Sequence, residues 1–442
     1  MAVHKVICKL QINIFLHQVF MSDIRPLPLS MEDFIKTLPS EICSQPELYV
    51  IDGKTPLSAF RPLHIDQISK IIQFANQYNF AVSPQGSRTA LTLGRKLERY
   101  DIALDTSGIS KLVEYTPEDL TVTIEAGATL QDLQSVLAEF GQYLPADPNP
   151  SNAVTIGGLL ATARSGAWRG NVPSTRDLIL GMTVVMADGS IATSGGRVVK
   201  NVSGFDMHRL HTGALGSLGI ISSASFKVLP IPERSVSLIL YCSNINEADE
   251  LAFILRNSNL PIRGLTILGS NTSLKLGFSR TPKVLVEFAG IEVSINRSIK
   301  DTEQIMSRFG EIDQLKDSQI WHQIRSFANE QKEQIVVRCG VQAKNVAEVI
   351  ELAESNTAAC AWGNLTSGSV WVVFEDINVV TLSKFRSQIL SLEGFMQVEA
   401  APMGIRDIFD PFGDIETDLV RALKHRFDPS GILNPGRWMV GV

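Results

Sequence analysis

The sequence predicts an α+β fold built in two parts. Strand and helix patterns interleave along the 442 residues, and the glycines of the first part concentrate in its connections. After Pro230 and Pro232, which break any regular element, the pattern changes to similar blocks of strands and helices placed side by side. Such blocks indicate an open antiparallel sheet covered by helices on one face. We therefore expect one domain over residues 50–232, a second over 233–400 and a C-terminal segment over 401–442.

The first part alternates helices with short strands. Apolar side chains recur at helical spacing in some stretches and alternate with polar ones in others. A turn at Asp188-Gly189 between two strand-like runs predicts a hairpin. The predicted elements are a helix over 66–78, a strand over 81–83, a strand over 121–125, a helix from Leu130 to about Gly141 and a hairpin from Leu178.

The second part repeats strand and helix patterns up to about residue 400. The tail that follows ends in an amphipathic helix and the segment FDPSGILNPGRW. The predicted strands cover 236–241, 262–268, 273–278, 284–288, 334–338 and 370–374, and the predicted helices cover 247–256, 295–309, 343–353 and 382–390.

The composition excludes several classes of protein. Hydrophobic residues make up 44% of the chain and charged residues 19%, which is typical of a folded protein rather than a disordered one. A formal net charge of −6 excludes a diffuse basic surface for nucleic acid. The five cysteines are scattered and include no C-x-x-C pair, which argues against a disulfide framework, a zinc site and an iron–sulfur cluster. This cysteine pattern predicts the reducing cytoplasm as the compartment.

We expect residues 1–30 to be an extension outside the fold. Lys9, Gln11 and Asn13 interrupt the apolar run in MAVHKVICKLQINIFLHQVF, which therefore resembles neither a secretory signal nor a transmembrane span. A second methionine, Met21, opens a more ordinary start, so we interpret the extension as disordered or as a misassigned start. The alternative is a short interfacial or partner-binding helix.

Four glycine-rich clusters are candidates for holding a ligand. They cover residues 84–94 (PQGSRTALTLG), 155–166 (TIGGLLATARSG), 195–221 and 434–436. The sequence has neither a G-x-G-x-x-G pattern opening a helix after a strand nor a G-x-x-x-x-G-K-[ST] pattern, so neither a Rossmann nor a P-loop site is predicted. However, Gly157 and Gly158 begin an apolar helix, and loop amides beside a helix start bind anions well. The loop of residues 84–94 beside this helix start therefore either holds a diphosphate or is a turn between two core strands, and a single glycine pair alone is more often a turn than a ligand site.

Several segments carry a family resemblance, in a fixed order along the chain. They read PQGSRTALTLG, PADPNPSNAVTIGGLLATARSG, STRDLILGMTVVMADGSIATSGG, VVKNVSGFDMHRLHTGALGSLGIISSASFKVLP and RFDPSGILNPGRW. This order resembles FAD-binding oxidoreductases of the vanillyl-alcohol oxidase (PCMH) type, and among them the FAD-binding E-type subunits of glycolate oxidase. The resemblance implies a two-part PCMH-type FAD domain, a ferredoxin-like antiparallel α+β cap domain, and a C-terminal segment that returns to the FAD domain.

The resemblance also implies which residues hold FAD. The first loop wraps the diphosphate, a second segment completes that site, a third passes the flavin ring, and a strand follows the adenine and ribose. The stretch 200–206, KNVSGFD, either seats the cofactor or shapes the domain. The implied cofactor-binding residues are Gln85, Gly86, Ser87, Arg88, Thr89, Thr155, Gly157, Gly158, Ser165, Gly166, Ser174, Asp177, Gly219, Ile220, Ile221 and Asn434.

One departure from the family bears on activity. Related dehydrogenases for D-2-hydroxy acids often carry a histidine-rich metal segment, whereas the comparable stretch 360–372, CAWGNLTSGSVWV, has Gly363 and Asn364 but no histidine. His208 and His211 share a helix face without an evident third ligand, so we predict no metal site and assign no catalytic residue. Neither the loop of residues 84–94 nor the stretch STRDL, residues 174–178, contains a histidine that could attach the flavin covalently. We therefore expect dissociable FAD.

These features predict an FAD-dependent oxidoreductase subunit of a glycolate dehydrogenase or oxidase complex. Electrons would pass from glycolate through flavin to an iron–sulfur partner, with the substrate chemistry in a sister flavin subunit. The alternatives are a self-sufficient FAD oxidoreductase acting on another 2-hydroxy acid or alcohol, and a non-catalytic scaffold with a flavin fold. We expect the complex in the cytoplasm, where its other subunits would bring it to the inner face of a membrane.

Overall fold

The computed structural model describes most of the chain. The described residues are 28–148, 153–196, 205–316, 319–327, 334–356, 359–375, 377–413 and 417–439. Most of the predicted N-terminal extension and most of the stretch 200–206 therefore lie outside the described residues. No helix within these ranges is both long enough and apolar enough to span a membrane.

A four-stranded sheet begins the first part of the fold. Its elements are α1 Leu29–Lys36, β1 Cys43–Ser44, β2 Ser58–Phe60, α2 Ile65–Tyr78, β3 Val82–Gln85 and β4 Ile102–Asp105. The strand order is β1-β2-β4-β3, and β4 runs parallel to both of its neighbours. The helix α2 buries Ile68, Ile71 and Ala75 and ends at Asn79 in a left-handed conformation, which asparagine tolerates. The helix predicted over 66–78 and the strand that follows it are confirmed.

A five-stranded antiparallel sheet completes the first part. Its elements are β5 Leu112–Thr116, β6 Thr121–Glu125, α3 Leu130–Ala138, β7 Gln142–Tyr143, α4 Ile156–Thr162, α5 Thr175–Leu178, β8 Ile179–Val185, β9 Ile191–Gly195, α6 His208–His211, β10 Ile220–Lys227 and β11 Leu229–Pro230. The strand order is β5-β6-β10-β8-β9, and β7 pairs with β11 separately. One hydrophobic core joins both sheets, and it includes Val82, Ile102, Ile124 and Phe226. The predicted hairpin is confirmed as β8 and β9.

The second part is a single eight-stranded antiparallel sheet with its helices. Its elements are β12 Arg234–Tyr241, α7 Ile245–Arg256, β13 Ile262–Leu268, α8 Ser270–Lys275, β14 Lys283–Gly290, α9 Glu292–Met306, β15 Ile312–Gln314, α10 Gln319–Ser326, β16 Ile335–Gly340, α11 Val346–Asn356, β17 Cys360–Asn364, β18 Ser369–Phe374, α12 Val379–Ser391 and β19 Phe395–Ala400. The strand order is β15-β12-β14-β13-β17-β18-β16-β19. This architecture is the α+β fold that the sequence predicts, and the sheets change between Pro230 and Arg234.

The helices of the second part cover both faces of its sheet unequally. The helices α7, α9, α11 and α12 share one core with the sheet. The shorter α10 packs Trp321 and Ile324 against the opposite face, where Ala167 of the first part also lies. The expectation of helices on one face therefore holds for the long helices but not for α10.

One predicted strand is wrong. Residues 273–278 belong to the helix α8 and the turn after it. Glu354, which is distant in sequence, accepts hydrogen bonds from the backbone N–H of Asn271 at 3.1 Å and of Thr272 at 3.4 Å. The Thr272 hydroxyl donates to the Ala361 carbonyl at 2.7 Å. These tertiary bonds fix a helix start where the local alternation of apolar residues predicts a strand.

The C-terminal segment returns to the first part. Its helices are α13 Met403–Arg406 and α14 Asp418–Phe427. The backbone N–H of Val82 donates to the Ile432 carbonyl at 2.7 Å, and that of Asn434 donates to the Val82 carbonyl at 2.9 Å. The buried Lys424 ammonium donates to Asp428 at 2.6 Å and to the carbonyls of Ser217 and Leu433. The segment thereby extends the four-stranded sheet beside β3.

Candidate cofactor site and the cleft beside it

The loop after β3 offers unpaired backbone donors. The N–H groups of Ser87, Arg88, Thr89 and Ala90 donate to no acceptor within the described part of the chain. Arg88 has a φ of +59°, which lies in the left-handed region that glycine prefers. A run of free amides at such a turn is a known way for proteins to bind anions. The loop therefore has the donors that a diphosphate needs.

Gly86 lets this loop approach the start of α4 closely. A methyl group built on Gly86 would lie 2.9 Å from Cγ2 of Thr155 and closer still to its hydroxyl oxygen. Thr155 is 2% exposed, and its hydroxyl accepts a hydrogen bond from the Gly158 N–H at 3.2 Å. Glycine is therefore required at residue 86 because a side chain there would push the two predicted diphosphate segments apart.

The paired glycines contribute space rather than free amides. The Gly157 N–H donates to the Ala126 carbonyl at 2.8 Å, and the Gly158 N–H is used by Thr155. A side chain at Gly157 would meet Ala126 at 3.1 Å. The start of this helix therefore uses these two amides to cap itself and to contact the neighbouring sheet.

Two clefts meet at these segments. The loop cleft adjoins the unpaired amides, and the glycine cleft lies between the loop and β10. The loop cleft is lined by residues 83–91, Thr155, Gly158, Ala161, Thr162, Leu215, Asn434 and Arg437. The glycine cleft is lined by Pro84, Gln85, Gly86, Thr106, Gly157, Gly158, Ala161, Leu215, Gly216, Gly219, Ile220 and Ile221. The structure thus brings together twelve of the sixteen predicted cofactor residues, which come from four segments of the chain.

Buried polar atoms without partners face the same region. The side-chain oxygens of Gln85 and Asn434 are buried and accept no hydrogen bond from the described residues. Gln85 donates to the Tyr100 hydroxyl at 2.6 Å, and Asn434 donates to the Leu215 carbonyl at 2.7 Å. Since buried polar groups are normally paired, these oxygens point to a bound ligand.

Two arginines border the loop differently. The Arg88 guanidinium donates to the Leu48 carbonyl and lies 5.3 Å from the centre of the Tyr49 ring, so its expected role beside the phosphates stays a prediction. Arg437 was not among the predicted residues, although it directly follows the Asn-Pro-Gly of the closing segment. Its side chain is buried in the loop cleft, and one of its nitrogens has no hydrogen-bond partner within the described ranges. The signal that could have revealed it is this place in the closing segment.

Ser165 and Gly166 lie on the far side of α4, in a loop held by Asp147. The Asp147 carboxylate accepts hydrogen bonds from the N–H of Gly166 at 3.1 Å and of Trp168 at 2.8 Å. Burial raises the pKa of Asp147 to about 6, although these amides and the distant Arg325 charge oppose the shift. The Trp168 indole N–H donates to Glu287 of the second part at 2.8 Å. This loop is therefore fixed by both parts of the fold.

Ser174 and Asp177 are separate from the clefts. Each is exposed, and the Ser174 hydroxyl donates to the Asp177 carboxylate at 2.6 Å in a capping box at the start of α5. Neither lines the loop cleft or the glycine cleft. Their predicted contact with the flavin ring stays a prediction.

An arginine cleft lies where the first part meets the second. It is lined by Thr89, Thr92, Thr162, Ala163, Arg164, Ser165, Arg169, Val336, Arg338, Trp371, Gln397, Glu399 and Ala400. Thr89 and Thr162 also line the loop cleft, so the two clefts adjoin. Glu399 pairs with Arg164 of the first part at 3.0 Å and with Arg338 of the second at 3.2 Å.

Arg169 is the arginine of this cleft that has no carboxylate partner among the described residues. It donates to the Ser165 hydroxyl at 3.2 Å. Burial lowers the pKa of Arg169, and the nearby charge of Arg338 lowers it further. Three arginines and one glutamate leave this cleft positively charged. It is therefore suited to a carboxylate-bearing molecule.

The two predicted helix-face histidines are core residues. His208 and His211 are both buried, and Nδ1 of each has no partner in the described structure. His211 lies edge-on to the ring of Phe427, with centroids 6.0 Å apart. Within the described ranges, no group of three or more histidine, cysteine, aspartate or glutamate residues is placed to hold a metal.

The loop and glycine clefts together fit FAD. Unpaired amides, a close approach that needs glycine, and unpaired oxygens of Gln85 and Asn434 converge from separate segments. Donors suited to a diphosphate adjoin the apolar wall of Ile220 and Ile221, and the arginine cleft adjoins the loop cleft through Thr89 and Thr162. These observations match the donor set and the shape that an FAD diphosphate requires.

Two protein-family descriptions match the chain. Residues 56–195 match the FAD binding domain family, which includes the loop after β3 and the start of α4. Residues 409–438 match the C-terminal domain of FAD linked oxidases, which includes Asn434 and Arg437. Both matches therefore fall on segments that line the clefts.

Named relatives include two glycolate oxidase subunits and a lactate enzyme. The chain is 25% identical to glycolate oxidase subunit GlcD of Bacillus subtilis (strain 168), over 86% of this chain and 88% of that protein. It is 24% identical to a D-lactate dehydrogenase of Anaerostipes hadrus, over 84% and 87%. It is 35% identical to glycolate oxidase subunit GlcE of Escherichia coli (strain K12), over 42% of this chain and 51% of that protein.

Solved structures share the fold. An alkyldihydroxyacetonephosphate synthase superposes with a TM-score of 0.71 at 16% identity, over 94% of this chain and 87% of the other. A p-cresol methylhydroxylase with substrate bound gives a TM-score of 0.70 at 14% identity, over 92% and 96%. This likeness confirms the PCMH-type architecture.

Proposed function

We propose that this chain, an FAD-dependent oxidoreductase with segments that match the FAD binding domain and the C-terminal domain of FAD linked oxidases, is the FAD-binding subunit of a glycolate oxidase-type complex. The complex would convert glycolate to glyoxylate, and electrons would pass through the flavin of this chain to an iron–sulfur partner. The similarity to both GlcD and GlcE supports this proposal, and the 35% identity to GlcE over 42% of this chain supports the E-type assignment.

This chain would hold the cofactor through its own backbone and the two clefts. The free amides of residues 87–90 would bind the diphosphate, and Gly86 would keep the loop against Thr155. The segment Gly219 to Ile221 would cover one side of the cofactor. When bound, FAD supplies a two-electron acceptor.

The observation that carries the division of labour is the lack of a free proton acceptor beside this site. Oxidising a hydroxy acid requires a group that removes the hydroxyl proton. Among the described residues that line the arginine cleft there is no histidine, and the carboxylate there, Glu399, has both oxygens engaged by guanidinium donors. We therefore propose that a sister flavin subunit oxidises the substrate.

The partners follow from the same reasoning. No C-x-x-C pair or other cluster spacing occurs in the five cysteines, so an iron–sulfur subunit would relay electrons from the flavin. We propose that the complex lies in the cytoplasm and reaches the inner face of a membrane through its other subunits. Co-purification from the native cell, followed by identification of the bound proteins, tests both statements.

A reconstitution assay tests the proposed division. The chain is loaded with FAD, supplied with glycolate and a dye acceptor, and compared with the assembled complex. Since acid–base help contributes about 10²- to 10⁴-fold to such reactions, we expect the chain alone to run at no more than about 1% of the rate of the complex. Turnover comparable to that of the complex would refute the division.

The second candidate is a self-sufficient FAD oxidoreductase for a 2-hydroxy acid such as D-lactate. The observation that favours it is the arginine cleft, which is complete within one chain and adjoins the FAD site. Replacing Arg169 by methionine in the complex discriminates the two candidates. If a sister subunit binds the substrate, KM for glycolate is unchanged in Arg169→Met, as in the exposed control Arg176→Met.

A further inference from the structure

Arg437 is a buried cation whose hydrogen bonds are incomplete. Its residue is 5% exposed, and one guanidinium nitrogen donates to the carbonyls of Leu91 and Ala90, the latter at 3.5 Å. The other terminal nitrogen, Nη1, is buried and has no hydrogen-bond partner among the described residues. A guanidinium of this kind usually meets a carboxylate or a phosphate.

Among the residues that the structure describes, none offers a free carboxylate to this guanidinium. Asp52 is the acid whose charge reaches Arg437, but its carboxylate is paired with Arg406. Burial lowers the pKa of Arg437 to about 10, which reflects how poorly the surroundings solvate its charge. Buried charges without a partner are rare because desolvation is costly.

The neighbouring loop after β3 also has hydrogen-bond donors that lack an acceptor among the described residues. Arg437 donates to the carbonyls of residues 90 and 91, whereas the amides of residues 87–90 have no acceptor in the described part of the chain. Both the guanidinium and these amides line the loop cleft. The cleft therefore has two independent sets of donors, one from the loop and one from the C-terminal segment. A single anion in the cleft could accept hydrogen bonds from both sets.

We propose that Arg437 is the counterion of the FAD diphosphate, held by the C-terminal segment behind the loop after β3. The proposal rests on FAD as the cofactor and not on the identity of the substrate. It gives the closing segment a chemical role, because the return of residues 432–437 to β3 carries a cation into the cofactor site. Loss of the Arg437 side chain would then lower the affinity for FAD without lowering the stability of the apoprotein.

Measuring FAD affinity and apoprotein stability together tests this role. In Arg437→Met we expect the dissociation constant for FAD, measured by quenching of flavin fluorescence, to rise roughly 10- to 150-fold, as for loss of a hydrogen bond to a charged group. The melting temperature of the apoprotein should stay equal or rise, because an unpaired buried charge is removed. Arg437→Lys, which keeps the charge, should recover part of the affinity.

The matched control is Arg99→Met. Arg99 is exposed and also donates to a carbonyl of the C-terminal segment, that of Gly431, but it does not line the cleft. We expect its FAD affinity to change less than threefold. If Arg437→Met binds FAD within tenfold of the wild type, or if its apoprotein melts at a lower temperature, Arg437 is structural and the proposal is wrong. Neither result depends on turnover, so failure here is distinguishable from failure of the proposed function.

Discussion

Replacing Gly86 by alanine tests whether close contact between the loop and α4 shapes the cofactor site. The added methyl group would lie 2.9 Å from Cγ2 and 3.0 Å from Cβ of Thr155, which is tighter than ordinary van der Waals contact. Thr155 has little room to move, because it caps α4 and its carbonyl accepts the Leu159 N–H at 2.8 Å. The loop must therefore move away from the helix start.

The magnitude follows from the cost of overpacking a buried site. Such insertions typically cost about 1 to 3 kcal/mol. If the free energy of FAD binding falls by this amount, the dissociation constant for FAD rises roughly 5- to 150-fold in Gly86→Ala. Thr155→Ala alone loses a helix cap, at about 1 kcal/mol. In the double variant the methyl group no longer meets the hydroxyl or Cγ2, so its effect should be smaller than the sum of the two single effects.

A double-mutant cycle on FAD affinity is the assay. Dissociation constants are measured by flavin fluorescence for wild type, Gly86→Ala, Thr155→Ala and the double variant, and we expect a coupling of about 0.5 to 3 kcal/mol. Gly404→Ala is the control, because a methyl group there meets no atom within 4 Å. Strictly additive effects, or normal FAD binding by Gly86→Ala, would refute the reasoning.

Three further predictions concern the same region. Gly158→Asp should raise the dissociation constant for FAD on the order of 10²-fold or more, because a carboxylate would face the diphosphate. The uncharged Gly158→Asn should raise it less. Equal FAD titration curves for the two variants would contradict this prediction. Acid precipitation should release FAD into the supernatant, whereas colour kept in the pellet would contradict dissociable binding. Burial lowers the pKa of His211 to about 4, so its protonation favours the unfolded chain, and stability should fall by about 3 kcal/mol between pH 6.5 and 4. Acid-unfolding profiles of His211→Gln should lack that loss, and identical profiles would contradict it.

In the first part of the fold, the sequence predicts the elements whose signals are local but not the strands β4, β5 and β10. The helix before β3, the loop of residues 84–94 and the hairpin after α5 each follow from neighbouring residues. In the second part, the prediction from sequence fails at α8, because that helix is fixed by Glu354, a residue about 80 positions away. The strands β17 and β19 were missed because their residues pair with distant strands and give no clear alternation.

The candidate site shows the same limit at the level of single residues. Glycine patterns locate Gly86, Gly157 and Gly158, but they do not distinguish a glycine that frees an amide from one that removes a side chain. The structure makes that distinction through hydrogen bonds, since the amides of Gly157 and Gly158 are used internally. Arg437 was not predicted because its place in the cofactor site depends on burial beside a loop that is distant in sequence.

The arginine cleft depends on the assembly of both parts. Arg164 and Arg169 come from the loop after α4, whereas Arg338 and Glu399 come from the eight-stranded sheet. Glu399 neutralises one unit of the positive charge and at the same time joins the two parts, and a second link runs from Trp168 to Glu287. A movement of the sheet relative to the FAD-binding part would therefore change the balance of charge that lines this cleft. Since Thr89 and Thr162 line both this cleft and the loop cleft, the position of the sheet would affect the shape of both clefts together.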